Sequence, residues 1–434
     1  MKTAMPKFPE IEYASRETLM AHQGKHLATL IGGLLGRNPF YTKKLASANV
    51  DVKQLNFPND LSSLPFTTKS ELVADQTAAP PWGTALSEPI THYTRYNQTS
   101  STTGTPLRWI DTAESWQWML DCWKAVYRAA RVSDEDRIFF PFSFGPFLGF
   151  WTGFDAAIQI GAHTIPSGGM TSHSRLTLID TVQPTVICCT PTYALRLLDV
   201  AQEIGLSLSS NSVGVVIVAG EPGGSIPATR KRIEDGWGAR VIDHYGLTEV
   251  GPIGFECWQS PGSIHINEQG YIAEIIDPET CKPVPDGQQG ELVITNLGRI
   301  GSPVIRYRTR DLVVRALAPC ACGRTFARLV GGVTARADDM VNVRGVNVYP
   351  SAIEAIIRKI PEVIEYRCTV RGEPSNRSVS VEIEPTAAGN AAIVVDHVTN
   401  QIRQALGLTV RVQSVETGSL PRFEMKARRF LIES

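Results

Sequence analysis

Between about residues 91 and 250, short apolar runs with no polar face alternate with stretches of helical spacing. Thr185–Cys189, Val213–Ala219 and Arg240–Ile242 are of the first kind, and RLTLIDTVQ and YALRLLDVAQEIG are of the second. A strand that is apolar on both sides needs cover on both sides, and alternation with helices supplies it. The pattern therefore predicts an α/β fold whose large N-terminal domain is built on a doubly wound parallel sheet. Ahead of it, ETLMAHQGKHLATLIGGLLG reads as helix and is followed by an irregular, Pro-rich stretch through PPWG.

Near residue 270 the period changes to two. YIAEIID, GELVITN and VIRYRTRDLVVRAL read as strands, with a Pro285-Asp286-Gly287 turn between the first two. They predict a β-rich subdomain over about 265–337. Past a boundary at Ala337–Met340, VNVRGVNVYP leads into a helix at Ser351–Ile360, then strands, a helix near Val395–Leu406 and a closing strand around Leu408–Val415. We expect residues 1–337 to form the N-terminal body and 338–434 a small α+β lid.

Composition narrows the partners. With 42 basic and 43 acidic side chains in 434 residues, there is no electrostatic case for nucleic acid or an anionic membrane. Eight cysteines are too few for a disulfide scaffold, and MKTAMPKFPEIEYASRE lacks the apolar stretch of a signal peptide, so a cytoplasmic location is expected. Ile138–Phe154 carries no charge, but Pro141, Gly145, Pro146, Gly149 and Gly153 interrupt it. It also falls short of the about 20 apolar residues a membrane span requires. Seven of the 15 phenylalanines lie there beside Trp151, which makes the run either an aromatic core or the wall of an apolar pocket for a flat ligand. The spacing of its glycines would align them on one helix face.

Several constellations could carry chemistry. Thr99-Ser100-Ser101-Thr102-Thr103-Gly104-Thr105-Pro106 offers hydroxyl and backbone donors suited to phosphate oxygens, yet lacks the Gly-Lys-Ser/Thr of a P-loop; otherwise it is a polar surface loop. Asp243-His244-Tyr245-Gly246-Leu247-Thr248-Glu249 ends a strand with a ring, a hydroxyl and a carboxylate, which is either a nucleotide site or an ordinary turn. Arg306-Tyr307-Arg308-Thr309-Arg310-Asp311 sets one carboxylate among three arginines, for a ribose and phosphates or for an ion-paired strand. Arg336-Ala337-Asp338-Asp339-Met340 and Leu420-Pro421-Arg422-Phe423-Glu424-Met425-Lys426 complete the series. Cys257, His265, Cys320 and Cys322 could form a closed Cys₃His set suited to structural Zn²⁺.

In this order, the segments resemble the phenylacetate–CoA ligase branch of the adenylate-forming enzymes, from NPFYTKKL onward. The likeness is densest in HYGLTE, PDGQQGELVIT, PVIRYRTRDLV, DDMVNVRGVNVYPSAIE and LPRFEMKA. It implies ATP-dependent conversion of an aryl or arylacetic acid to an acyl-adenylate, then thioester formation with CoA, with Mg²⁺ as cofactor and a lid that moves between the steps. Alternatives within this chemistry are another acceptor (a carrier-protein thiol or an amine) or adenylation without transfer; outside it stands a degenerate nucleotide-binding protein.

The resemblance also implies roles. Ser100, Ser101, Thr102, Thr103 and Gly104 hold the β- and γ-phosphates, Thr248 contacts the α-phosphate, and Glu249 positions Mg²⁺. Tyr245, Gly246 and the Gly220-Glu221-Pro222 loop flank the adenine, with Asp243 near its amino group. Asp311 takes the ribose hydroxyls, Arg336 lies beside ribose and phosphate, Asp338 is the hinge, and Lys426 reaches the reacting carboxylate. Phe144, Phe147 and Phe150 fall at the aryl pocket, and the thiol segments match ones that hold zinc. The implied partner is a small aromatic acid, with a homodimer left open. The chain departs from the family pattern at Ser101 and Ala335, which replace glycines, at Thr105, which replaces lysine, and at Met425, which replaces the glycine before Lys426.

Overall fold

A computed structural model describes residues 10–99, 106–343, 346–373, 377–386, 389–423 and 427–433. The phosphate-loop residues Ser100–Thr105, the Arg344-Gly345 pair and Glu424–Lys426 lie outside them. After a short turn of helix, α1 (Arg16–Leu34) and α2 (Pro39–Ser47) open the chain, each started by a polar side chain, Ser15 or Asn38, that accepts a free backbone N–H. Helix α3 (Lys69–Ala78) begins with a full capping box between Thr68 and Glu71. The buried face of α1 (Leu27, Leu30, Ile31, Leu34) packs on Tyr41, Leu45, Leu61 and Leu64, and on Leu297 and Ile305 from far along the chain.

The hairpin β1 (Tyr93–Gln98) and β2 (Arg108–Thr112) leads into α4 (Ala113–Ala129). Then follow β3 (Arg137–Phe140), α5 (Trp151–Gln159), β4 (His163–Pro166), α6 (Ser172–Val182), β5 (Val186–Cys189), α7 (Pro191–Glu203), β6 (Val215–Ala219), α8 (Pro227–Trp237), β7 (Arg240–Leu247), β8 (Gly251–Glu256) and β9 (Ser263–Ile266). The strands β10 (Tyr271–Ile276), β11 (Gln289–Asn296), β12 (Tyr307–Val314), β13 (Arg328–Val330) and β14 (Ala335–Arg336) complete the body. Strands β7-β6-β5-β3-β4 are parallel neighbours in that order, and β8, β9 and β13 extend the sheet antiparallel beyond β7.

Both faces of this sheet are covered, as the unbroken apolar runs require. Ile138, Phe140, Val186, Cys188, Ile217 and Ile242 pack on α4 and α5, while Phe139, Ile187, Cys189, Val216, Val218 and Val241 pack on α6, α7 and α8. Each strand thus sends alternate side chains to opposite cores.

Two expectations are corrected here. The β-rich subdomain is the four-stranded sheet β10-β11-β12-β14, whereas β13, inside the expected 265–337 span, and β9, which straddles its start, belong to the large sheet. The glycines of the Phe-rich run do not share a helix face: α5 starts only at Trp151, and Gly149 has a φ of +39° that ends any helical continuity before it. Among the described residues no helix is long and apolar enough to cross a membrane.

The C-terminal unit holds a small hairpin, β15 (Val341–Val343) with β16 (Val346–Val348), then α9 (Pro350–Ile357), β17 (Val363–Arg371), β18 (Ser378–Pro385), α10 (Ala391–Leu406), β19 (Arg411–Ser414) and β20 (Phe430–Glu433). Its sheet runs β19-β18-β17-β20 over its own core of Ile353, Ile357, Val381, Ile383, Val398 and Ile402. The final strand β20, parallel to β17, has no counterpart in the sequence reading.

Candidate active site

The candidate residues gather where β6 and β7 end, the edge at which open parallel sheets take up ligands. After β6 the chain turns at Gly220, whose φ of +95° favours glycine, into Glu221 and Pro222. Gly224 lies so close to β7 that a Cβ there would stand 2.5 Å from the Asp243 carboxyl carbon. Tyr245 and Gly246 follow on β7 itself, where Gly246 pairs with Pro252 of β8.

A continuous chain of hydrogen bonds starts at Tyr245. Its hydroxyl donates to Asp311 Oδ2 at 2.5 Å, and Arg336 Nη1 donates to Asp311 Oδ1 at 2.9 Å. The same guanidinium grips Asp338 through Nε at 3.0 Å and Nη2 at 2.9 Å. Four of the sequence candidates are thereby joined, from the sheet edge to the boundary with the C-terminal unit. Burial pushes the Asp311 carboxyl up to about 6, against the opposing pull of Arg336 and the Tyr245 hydroxyl.

Glu249 is buried further along; it accepts the Tyr307 hydroxyl at 3.3 Å and faces Lys69 Nζ at 3.2 Å. Beside it, the Thr248 carbonyl accepts a 2.7 Å bond from Arg299, whose guanidinium is clamped to Asp111 by two 2.6 Å bonds. Arg299 and Asp111 are both 0% exposed. Sequence reasoning passed over Lys69, Arg299 and Asp111. Only a lone Asp in the strand RWIDT hinted at the pair, since its partner lies 188 residues away.

Two of the three arginines near Asp311 are committed to carboxylates: Arg306 is bound bidentately to Glu274, and Arg308 pairs with Glu291, as the ion-paired-strand alternative has it. The Arg310 side chain is 40% exposed and reaches the same Glu291 oxygen only at 3.4 Å. In the loop expected to flank the adenine, the Glu221 carboxylate is itself engaged: it accepts the Thr192 N–H and the Ala427 N–H, each at 2.9 Å. In the Phe-rich run, Phe150 is a core residue, 3% exposed against Trp123, Phe140 and Phe142. Phe144 and Phe147 remain half-buried, with Phe144 ringed by Phe142, Trp151 and Phe154.

Asp243 accepts the Ser225 hydroxyl at 2.6 Å and is buried. Burial raises its carboxyl from 3.8 to about 6, opposed by Ser225 and Arg230. Because the folded value lies above the unfolded one, its contribution to stability is intact below about 4 and is lost as pH rises through about 6. Asp243→Asn, which retains an acceptor for Ser225, should therefore stabilise the free protein by about 2 kcal/mol at pH 7.5 and by almost nothing at pH 4. Urea unfolding at the two pH values checks this.

Away from this edge, Cys257 and His265 from β8–β9 meet Cys320 and Cys322 from the β12–β13 connection, with all four donor atoms within 4.8 Å of one another. Cys257 Sγ lies 3.5 Å from Cys320 Sγ, and Cys322 Sγ lies 3.6 Å from His265 Nε2. A tetrahedral zinc with thiolates at about 2.3 Å would set its ligands roughly 3.8 Å apart, so the donor set fits that ion. His265 Nδ1 is engaged by the Phe326 carbonyl at 3.2 Å, which turns Nε2 toward the thiols. The Cys322 thiol lies far below its ordinary range, first through a hydrogen bond with Cys257 and also through His265, against burial.

Residues 63–298 match the AMP-binding enzyme family, and 345–432 match the AMP-binding enzyme C-terminal domain. The chain is 32% identical to phenylacetate-coenzyme A ligase of Thermus thermophilus, covering 98% of each protein, and 33% identical to that of Escherichia coli, covering 98% and 97%. It superposes on 2-hydroxyisobutyryl-CoA ligase in the postadenylation state with a TM-score of 0.94 (27% identity, covering 100% of this chain and 93% of that one). Against the same enzyme in its thioesterification state the TM-score is 0.75 (27% identity, 98% and 92% covered), so the two units are arranged here as in the former state. With both halves matched and near-complete alignment to such ligases, the chain belongs to the AMP-binding enzyme family, on its phenylacetate–CoA ligase branch.

Proposed function

We infer that the protein joins an aromatic carboxylic acid, phenylacetate or a substituted benzoate, to CoA at the expense of ATP. In the first step a carboxylate oxygen attacks the α-phosphorus and the bond to pyrophosphate breaks. In the second the CoA sulfur attacks the acyl carbon and AMP leaves with the C–O electron pair. The observation that carries this reading is the Tyr245–Asp311–Arg336–Asp338 chain, which ties a buried acceptor suited to a ribose diol directly to the boundary about which the lid must turn.

Within it, Asp311 receives the ribose hydroxyls, Tyr245 supports the base, and Thr248 meets the α-phosphate. Arg336 offsets phosphate charge, and Lys426 approaches the two reacting anions. Glu249 would hold Mg²⁺, whose chemistry is to neutralise phosphate oxygens. Phe144 and Phe147 form the apolar wall for the ring. Reduced thiols at the Cys₃His corner suit a cytoplasmic setting. Acid-dependent pyrophosphate release across aryl, fatty and amino acids, with and without CoA, tests the proposal. We expect aryl acids to lead the panel and Phe147→Ala to weaken their use far more than ATP binding. A fatty or amino acid surpassing every aryl acid would refute the substrate class.

The cysteine corner we assign to structural zinc, held by Cys257, His265, Cys320 and Cys322. It pins the β8–β9 edge to the connection after β12 and lies apart from the chemistry. Cys320→Ser is expected to lower the melting temperature and the bound zinc while leaving acid preference unchanged. Elemental analysis and thermal unfolding read both, and zinc-free native protein would end this assignment.

A further inference from the structure

The segment that leads to and from Lys426 is held at its two ends by two carboxylates of different allegiance. Glu384, 0% exposed on β18 of the lid, accepts the Gly418 N–H at 3.0 Å and the Leu420 N–H at 2.5 Å. It also takes Arg422 at 3.1 and 2.6 Å. These partners all lie in the lid, so they travel with it whatever its orientation. Glu221 instead sits on the body, in the loop after β6, and its second oxygen takes the Ala427 N–H at 2.9 Å. Its first oxygen is fixed by the Thr192 N–H at the start of α7. Thr192 meets the lid once more, its hydroxyl 3.4 Å from Arg429, which Glu365 clamps within the lid at 2.6 and 2.9 Å.

We propose that Glu221 is a state-specific latch: it holds the backbone next to Lys426 against the body during adenylation and must release it before thioester formation. Ala427 directly follows Lys426 in the sequence, so a restraint on its N–H acts one residue from the lysine. A carboxylate suits the task because two N–H groups converge on it from opposite domains. A carbonyl amide offers one acceptor only, and its NH₂ would confront the second donor. Rotation of the lid about Asp338 leaves every Glu384 contact intact and must break the one to Ala427. Through this side-chain contact Glu221 acts as a positioning residue, and the contact adds stability to one orientation of the lid only.

The proposal rests on the two-step reading above, and its test separates the two. Glu221→Gln and Glu221→Ala are expected to slow acid-dependent ATP–pyrophosphate exchange about 10-fold or more, corresponding to loss of one charge-assisted hydrogen bond. Thioester formation from supplied aryl-adenylate and CoA should hold or rise. In parallel, fluorescence transfer between labels placed by amber suppression at the exposed positions Ser209 and Ile393 should report a lid released from its wild-type position in both variants. Equal slowing of both half-reactions, or an unchanged lid position, would overturn the latch. Absence of acid-dependent exchange in the wild type would instead strike the two-step reading, leaving the lid measurement to judge Glu221 by itself.

Discussion

Lys426→Ala is expected to lower acyl-adenylate formation by about 10²–10³-fold, the usual cost of removing one charge-stabilising contact. Thioester formation from a supplied adenylate should remain nearly intact. Two anions meet in the first step; at about 4 Å and an effective dielectric near 20, unit charges interact by roughly 4 kcal/mol. An ammonium at the point of approach removes much of that repulsion. In the sequence the lysine lies between Leu420, whose N–H Glu384 accepts, and Ala427, whose N–H Glu221 accepts. The second step brings a thiol to an already neutral acyl carbon, so on the reading proposed above it has no use for this charge. Single-turnover measurements of each half-reaction decide the matter: equal loss in both would rule out the division of labour between lid orientations.

Arg299→Met is expected to destabilise the fold by about 3–5 kcal/mol, since it strands the Asp111 carboxylate in a fully buried site. The double variant Arg299→Met with Asp111→Leu should recover most of that loss, because replacing both charges by apolar groups removes the stranded ion. Adenylation should nevertheless stay impaired in the double variant, as the Thr248 carbonyl has lost the donor that orients it. Urea midpoints and initial rates, taken together, distinguish a pair that only holds the fold from one that also aims the loop. Full recovery of adenylation would leave Arg299 a purely structural residue.

The large sheet could be read ahead of any coordinates because strands such as Val186–Cys189 are apolar at every position, a pattern that only two-sided burial explains. The four donors of the Cys₃His corner were readable from residue type and spacing together with the family resemblance, and the fold brings them within 4.8 Å of one another. What escaped were features whose meaning depends on distant partners. Arg306 and Arg308 looked suited to phosphate until Glu274 and Glu291, on neighbouring strands, were seen to occupy them. Phe150 carried the same local signature as Phe144, and only the depth of α4's Trp123 separates a core ring from a half-buried one. Strand β20 is short and polar at its end, and it exists because β17 offers a parallel edge. Glu221 was read by its neighbours in the motif, whereas its partners come from α7 and the chain's last segment.

The packing of α1 against Leu297 and Ile305 has a consequence for the order in which a ribosome delivers the parts. Just ahead of α1, Glu12 is clamped by Arg324, 312 residues further on. At roughly 5–20 residues per second, about 15 to 60 s separate the synthesis of the two. Through that interval the sheet from β3 to β7 can assemble on its own helices, while α1 waits with part of its apolar face uncovered. Helix α1 is therefore made well before it can be fully secured, and nascent chains stalled before residue 297 are expected to be more readily held by chaperones than longer ones.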